Sequence, residues 1–301
     1  MAVGTFLEQP LSSMFAKDTF PCLNYKGRFG FLRAYSSLDS STITNISKLR
    51  RQTSMPLKVC KEALTLNKNI YKDALEWLNC NAKTLGYEKL NAVSGRRTLQ
   101  GLVSLSRDDR YLSIVEVRCE SDFVSNNKEF IHLTESIGKA LMTKANKEDK
   151  FKLKEWHPDE VLDIKLMNGN SIKSTIAESV GKLGENISLN RLYSIVTPPE
   201  WIVGTYIHNL KGVSTGTSCG WVGIKGNRSV GAVEFANRLA THVVGFKPIS
   251  IVRANKYENP QTILYEQSYL FDQSISVKEA IDSTPMISSV VDFGHYKLGD
   301  K

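Results

Sequence analysis

Apolar residues recur along this chain first with a helical period and then with a strand period, and the change between the two divides it. Ile46 and Leu49 open a short helix, Pro56 takes a first-turn position ahead of Leu57, Cys60, Ala63 and Leu64, and Ile70, Ala74, Trp77 and Leu78 describe a third helix with Asn69 as its cap. Residues 46–85 therefore predict a three-helix module, small enough to be marginally stable alone. Residues 86–97 are polar and basic, with Lys89, Arg96 and Arg97 about a Ser94-Gly95 break, and predict a linker. The period then shortens. Thr98 to Leu105 reads as a strand, residues 106–110 as a turn, and Tyr111 to Cys119 as the returning strand. Glu120 and Ser121 end the alternation. Asn126, followed by Glu129, matches a capping box for a helix that carries Phe130, Leu133, Ile137 and Leu141.

A charged stretch, residues 146–154, and His157-Pro158 precede a second helix, in which Ser171 can cap Ile172, Ile176, Val180 and Leu183. Gly184 suits the end of that helix, after which Ile187, Leu189, Arg191, Tyr193 and Ile195 alternate as a strand. Trp201 to His208 gives another strand, the Gly- and Ser-rich residues 211–220 a long connection, Trp221 to Lys225 a return, and Val233, Ala236, Ala240 and Val243 a helix. Hairpin, loop and helix thus occur twice. The expected architecture is α+β: the three-helix module, then a duplicated core of two subdomains side by side, 98–197 and 198–301, each a small antiparallel sheet backed by helices.

Composition narrows the chemistry. Lys and Arg total 39 against 31 Asp and Glu, a formal +8 that permits anionic partners without selecting one, and no dense basic run marks a nucleic-acid stripe. The five cysteines are scattered and show no C-x-x-C spacing, so neither a disulfide framework nor a metal site is indicated. The five histidines show no metal-ligand spacing, no serine sits in a nucleophile elbow, and no phosphate-cradling glycine motif can be read at residues 181–191 or elsewhere. Catalytic residues, a cofactor, a metal and direct nucleotide binding are therefore not expected. Neither is a membrane span, because no apolar run reaches roughly 20 residues. Residues 1–45 have the composition of a targeting segment, and Arg33-Ala34-Tyr35 before Ser36 resembles a site at which mitochondrial presequences are cut, near 35/36.

The unusual feature is Asp122-Phe123-Val124, between strand end and helix start. Either Phe123 turns inward as a core plug while Asp122 caps a turn, or the acid and ring are held out as a probe for a partner. CESDFVSNNKEF resembles the signature of elongation factor Ts, with Ser121 where the family has Thr. GKLGENISLNR resembles a second family segment. FANRLATHVVGFKPISI resembles a third, with Thr241 replacing Met before His242, a residue that on its helix face alone reads more simply as core or interface than as a ligand. LRRQTSMPLKVCKEALTLNKNIYKDALEWL resembles the ubiquitin-associated-like (UBA-like) module that opens this family, although its Gly- and Met-rich turn is here Ser54-Met55-Pro56-Leu57-Lys58. The short segment before ILYEQSYLFDQSISVKEAI resembles the mitochondrial branch, which agrees with the presequence and with location in the matrix.

The resemblance implies guanine-nucleotide exchange on mitochondrial elongation factor Tu, in its GDP-bound and nucleotide-free forms, without covalent chemistry. It assigns partner contacts to Ser121, Asp122, Phe123 and Val124, to Leu57 and Lys58, and to His242. Two other readings remain: a UBA-type interaction adaptor, which leaves the duplicated core and the Asp-Phe loop unexplained, and an RNA-binding protein, for which no stacking motif is recognisable.

Overall fold

The computed structural model describes residues 39–144, 150–255 and 257–300; residues 1–38, with the expected cut site near 35/36, lie outside them, while the end of the expected 1–45 lead-in is helix from Ser40. Helices α1 (Ser40–Thr53), α2 (Leu57–Leu66) and α3 (Tyr71–Val93) come first. Ile46, Leu49, Cys60, Leu64, Ala74 and Leu78 close a core of their own between them. Asn69 does not cap α3. It lies at φ 63°, a conformation asparagine tolerates, and its side chain reaches back to Ser41 of α1, leaving Ile70 at the cap position.

The expected linker is largely helix. α3 continues through Val93 because its second half has something to pack on: a Cβ at Gly86 would lie 2.3 Å from the carbonyl oxygen of Ala177, so glycine there permits a close helix crossing. Gly86, the first residue of the expected linker, is in the fold a helix contact.

Strands β1 (Gln100–Asp108) and β2 (Tyr111–Cys119) form a tight hairpin, followed by a single helical turn, α4 (Asp122–Ser125), and α5 (Lys128–Met142). After β3 (Lys152–Glu155) and α6 (Pro158–Val161) come α7 (Ile172–Leu183) and β4 (Ile187–Val196). Both expected ends of α7 are present: Ser171 Oγ accepts from Ser174 N, and Gly184, at φ 79°, donates its N–H to Val180. The second half contains β5 (Trp201–His208), β6 (Thr215–Gly216), β7 (Ser218–Gly226) and α8 (Val230–Phe246), then a small ribbon of β8 (Ser268–Tyr269) and β9 (Asp272–Ser276). α9 (Val277–Asp282) and β10 (Ile287–Lys297) complete it.

The two sheets run in the orders β3-β4-β2-β1-β6 and β10-β7-β5, and the pairings within them are antiparallel. In each half a hairpin is followed by a helix, and the last strand returns to the hairpin's second strand. The halves pack more intimately than side by side. Val103, Leu105, Leu112 and Ile114 of the first sheet face Trp201, Val203 and Trp221 of the second. The opposite face of the first sheet meets α5 and α7, and that of the second meets α8 and α9. The result is helix, sheet, sheet, helix, which explains why the middles of β1 and β2 are buried on both faces.

A charged hub pins the layers. Glu116 of β2, 1% exposed, accepts from Arg118 Nε at 2.5 Å, Arg191 Nε at 2.6 Å and the backbone N–H of Gly299 at 3.3 Å. Arg191 also donates to the carbonyl of Lys297, so the end of β10 is tied to the strand that leads into the Asp122 turn.

Candidate functional site

β2 delivers the chain to Cys119, which is fully buried and donates its thiol to the Ser121 carbonyl at 3.2 Å. Burial, with the Glu185 carboxylate nearby, pushes that thiol's pKa up to about 12, so it packs as a neutral hydrophobe. Ser121 is the N-cap of α4, its Oγ accepting from Val124 N at 3.4 Å. The turn has a firm footing: both the N–H and the hydroxyl of Ser121 donate to Glu185, at 2.9 and 2.6 Å. In return Glu120 accepts from Asn186 N at 2.7 Å, and Asn186 Nδ2 holds the carbonyls of Ser94 and Arg96. The Glu185-Asn186 pair is what the sequence reading missed. Its place directly after the Gly184 cap is no signal, since a carboxylate there is as readily left in water.

On this base the two adjacent side chains part. Val124 turns inward, 7% exposed, into the core with Phe130 and Cys119, while Phe123 turns outward and is 84% exposed. Phe123 is therefore no core plug. The converse holds for Val124: its side chain anchors the turn, and the direct partner contact expected of it is closed by burial. Asp122 is exposed in the first turn of α4, and its carbonyl accepts from Ser125 Oγ and Asn126 Nδ2. Because Asn126 is used to close α4, the cap of α5 is Asn127, which accepts from Glu129 N at 2.9 Å; with the cap moved by one residue Glu129 falls at the second helical position, and the capping box expected from Asn126 does not form.

The remaining candidates separate by exposure. Leu57, 53% exposed, and Lys58 stand at the start of α2, beyond the left-handed Ser54 and the buried Met55. They are connected to the Phe123 turn through helices: α3 crosses α7 at Gly86, and α7 ends at the Gly184-Glu185 segment that holds Ser121.

His242 is different. It is 0% exposed, so the surface contact expected of it is not open to it; the helix turns this face to the core because Leu239, Ala240 and Val243 share it. Nδ1 accepts from Leu270 N at 3.2 Å and Nε2 pairs with Gln267 Oε1 at 2.9 Å, which fixes the neutral tautomer with its proton on Nε2. Burial lowers its pKa, against the opposing effect of the hydrogen bond that Nε2–H donates to Gln267, and the ring stacks on Phe246 at 4.6 Å. Among the described residues no group of His, Cys, Asp and Glu is arranged to hold a metal ion, and no helix is long and apolar enough to cross a membrane.

The family model for elongation factor Ts matches residues 120–259, which begin at the buttressed turn and run past α8. The mitochondrial elongation factor Ts of Xenopus laevis is 30% identical over 280 residues, 84% of this chain and 86% of that protein. That of Rattus norvegicus is 30% identical over 288 residues, covering 89% and 88%. That of Aedes aegypti is 28% identical over 285 residues, covering 90% and 91%.

Proposed function

The chain belongs to the elongation factor Ts family, on its mitochondrial branch, and from that premise we propose that it promotes release of GDP from mitochondrial elongation factor Tu through the Asp122-Phe123 turn. It is a translation elongation factor located in the mitochondrion. The observation that carries the proposal is a large aromatic ring, 84% exposed, on a turn whose neighbouring backbone and side-chain polar groups are taken up by Glu185, Ser125 and Asn126. Exposing phenylalanine in water forfeits about 2 kcal/mol of burial. A rigid base under it means that the ring is presented in one place and that little order must be gained on docking.

The chemistry asked of the turn is modest. A GTPase holds GDP by its phosphate loop and a magnesium ion bridging protein and phosphate oxygens. Exchange requires no acid, base or nucleophile. It requires tighter binding to the nucleotide-free partner than to the GDP-bound one; by reciprocity the same free energy then loosens GDP. Phe123 acts as the wedge, inserting between partner side chains near the magnesium site, and Asp122 rearranges local hydrogen bonds there. Ser121 positions the pair through Glu185, and Val124 anchors it. Leu57 and Lys58, on the UBA-like module, grip the same nucleotide-binding domain from another side. The α8 subdomain holds a different domain of the partner, with His242 shaping that surface from within through Gln267 and Leu270. The chain itself binds no nucleotide, cofactor or metal in this mechanism.

Release of a fluorescent GDP analogue from mitochondrial elongation factor Tu tests this. The chain is expected to accelerate release, and Asp122→Ala/Phe123→Ala to remove most of the acceleration while the protein stays folded. Unchanged release with well-folded wild-type protein would end the exchange reading.

A further inference from the structure

The loop from β5 to β6 carries two apolar side chains that neither the core nor the exchange reading uses. Leu210 is 58% exposed and Val213 83%, with the exposed Lys211 between them. Single apolar residues on a surface are ordinary, and a Gly- and Ser-rich connection can simply be left to move. This one is held. The N–H groups of Val213 and Ser214 both donate to Glu135 Oε1 of α5, at 2.5 and 3.0 Å. Leu105 N–H of β1 donates to the Ser214 carbonyl at 2.9 Å, and Lys211 N–H to that of Thr215 at 2.9 Å. β6 then pairs Thr215 with Ser104 and Gly216 with Val103, so a connection belonging to the second half becomes an edge of the first sheet. Gly212 fits so closely that a Cβ there would lie 2.7 Å from Ile131 Cγ2 of α5. A close-packed base with its donors satisfied and aliphatic groups left in water is also what lies beneath Phe123.

The place of the loop says what covers it. Asn127, the cap of α5, donates its N–H to the Val124 carbonyl at 2.9 Å and accepts from Ile131 N–H at 3.0 Å, and Ile131 lies one turn, about 6 Å, along the helix. The loop therefore packs against the helix that begins directly after the Phe123 turn, and apolar groups far apart in sequence border the start of α5. Resting on the exchange reading for the identity of the partner, we propose that Leu210 and Val213 dock on an aliphatic patch of the same nucleotide-binding domain that Phe123 enters. Lys211, exposed and without an ion pair among the described residues, faces a carboxylate beside that patch. The loop supplies affinity and not exchange: an apolar contact made equally with the GDP-bound and nucleotide-free partner holds both and shifts neither. Glu135 is its positioning residue, since ordering the loop in advance lowers the cost of docking.

The test is the dependence of GDP release from mitochondrial elongation factor Tu on the concentration of the full chain. Leu210→Ser/Val213→Ser is expected to raise the half-saturating concentration about tenfold or more while the maximal rate changes less than about twofold. The control Leu66→Ser/Ile70→Ser removes aliphatic groups of comparable exposure, 55% and 50%, at the α2 to α3 connection, and is expected to shift it less than about twofold. Glu135→Ala is expected to speed amide hydrogen exchange at Val213 and Ser214 and to weaken binding by a smaller factor, and Glu135→Gln, which keeps an acceptor, to restore both. An unchanged half-saturating concentration in Leu210→Ser/Val213→Ser, beside active wild type, would overturn the docking and leave the exchange reading standing. Equal loss in both double variants would do the same, as would self-association of the free chain that the loop variant abolishes without loss of partner affinity. Wild type that neither binds the partner nor accelerates release would end the exchange reading and this one with it.

Discussion

The Asp122-Phe123 turn and the His242 helix carry two of the motifs by which the chain resembles its family, and folding treats them in opposite ways. Phe123, an apolar ring, is held in water on a scaffold with its hydrogen bonds made. His242, a polar ring, is held out of water with both nitrogens occupied. Each placement costs free energy that the opposite one would save, and the two costs mean different things. On the proposed function, an exposed phenylalanine on a rigid base is a surface kept for a partner. A buried, satisfied histidine is a joint, organising Gln267, Leu270 and Phe246 about itself.

If that contrast holds, substitutions at the two places fail in different assays. The largest loss of stability is expected at His242. His242→Ala leaves Gln267 and the Leu270 N–H without their partner and opens a cavity beside Phe246, for about 2–4 kcal/mol. Denaturant unfolding should show it, while exchange per folded molecule falls little. A surface role for His242 would give the reverse.

The neighbour of Phe123 sharpens the comparison within a single turn. Val124→Ala removes two buried methyl groups and is expected to cost about 2 kcal/mol, measured as a lowered Tm. Phe123→Ala, one residue away, should leave Tm nearly unchanged.

The smallest effect is that of pH on the joint. His242 has a lowered pKa in the folded state because burial disfavours the imidazolium. Below the ordinary histidine range the unfolded chain therefore binds more protons than the folded one, so this contribution is full above about pH 6.5 and is lost as pH falls toward the folded pKa. His295, also lowered by burial, adds a slope of the same sign. His242→Gln should flatten the acid limb of the stability profile without abolishing it. An unchanged limb would mean that His242 does not titrate with unfolding.

Much of this was legible in the residues. The caps at Ser171 and Gly184 were readable because each is a local bargain between one side chain or one φ and a helix end. The strands of the first hairpin were readable from an alternation of apolar and polar residues that is only partial, and their burial on both faces explains why it is incomplete. What could not be read depends on contacts distant in sequence. Gly86 carries no signal of a helix crossing until Ala177 is placed against it. Asn69 looks like a cap until Ser41 is found behind it. Glu185 gives no sign that its donors lie on Ser121. Phe123 itself could be read either way, because the choice between it and Val124 for the core depends on the phase of a single helical turn.

The central claim is that Phe123 exists for the partner and for its nucleotide. The measurement that tests it most directly compares, for wild type and Phe123→Ala, the rate of GDP release from mitochondrial elongation factor Tu at saturating factor with the affinity for the nucleotide-free partner. The account predicts a fall in release rate of about tenfold or more, equivalent to about 1.4 kcal/mol or more, with a much smaller change in affinity and an unchanged Tm. Equal losses of rate and affinity, or an unaltered rate, would contradict it.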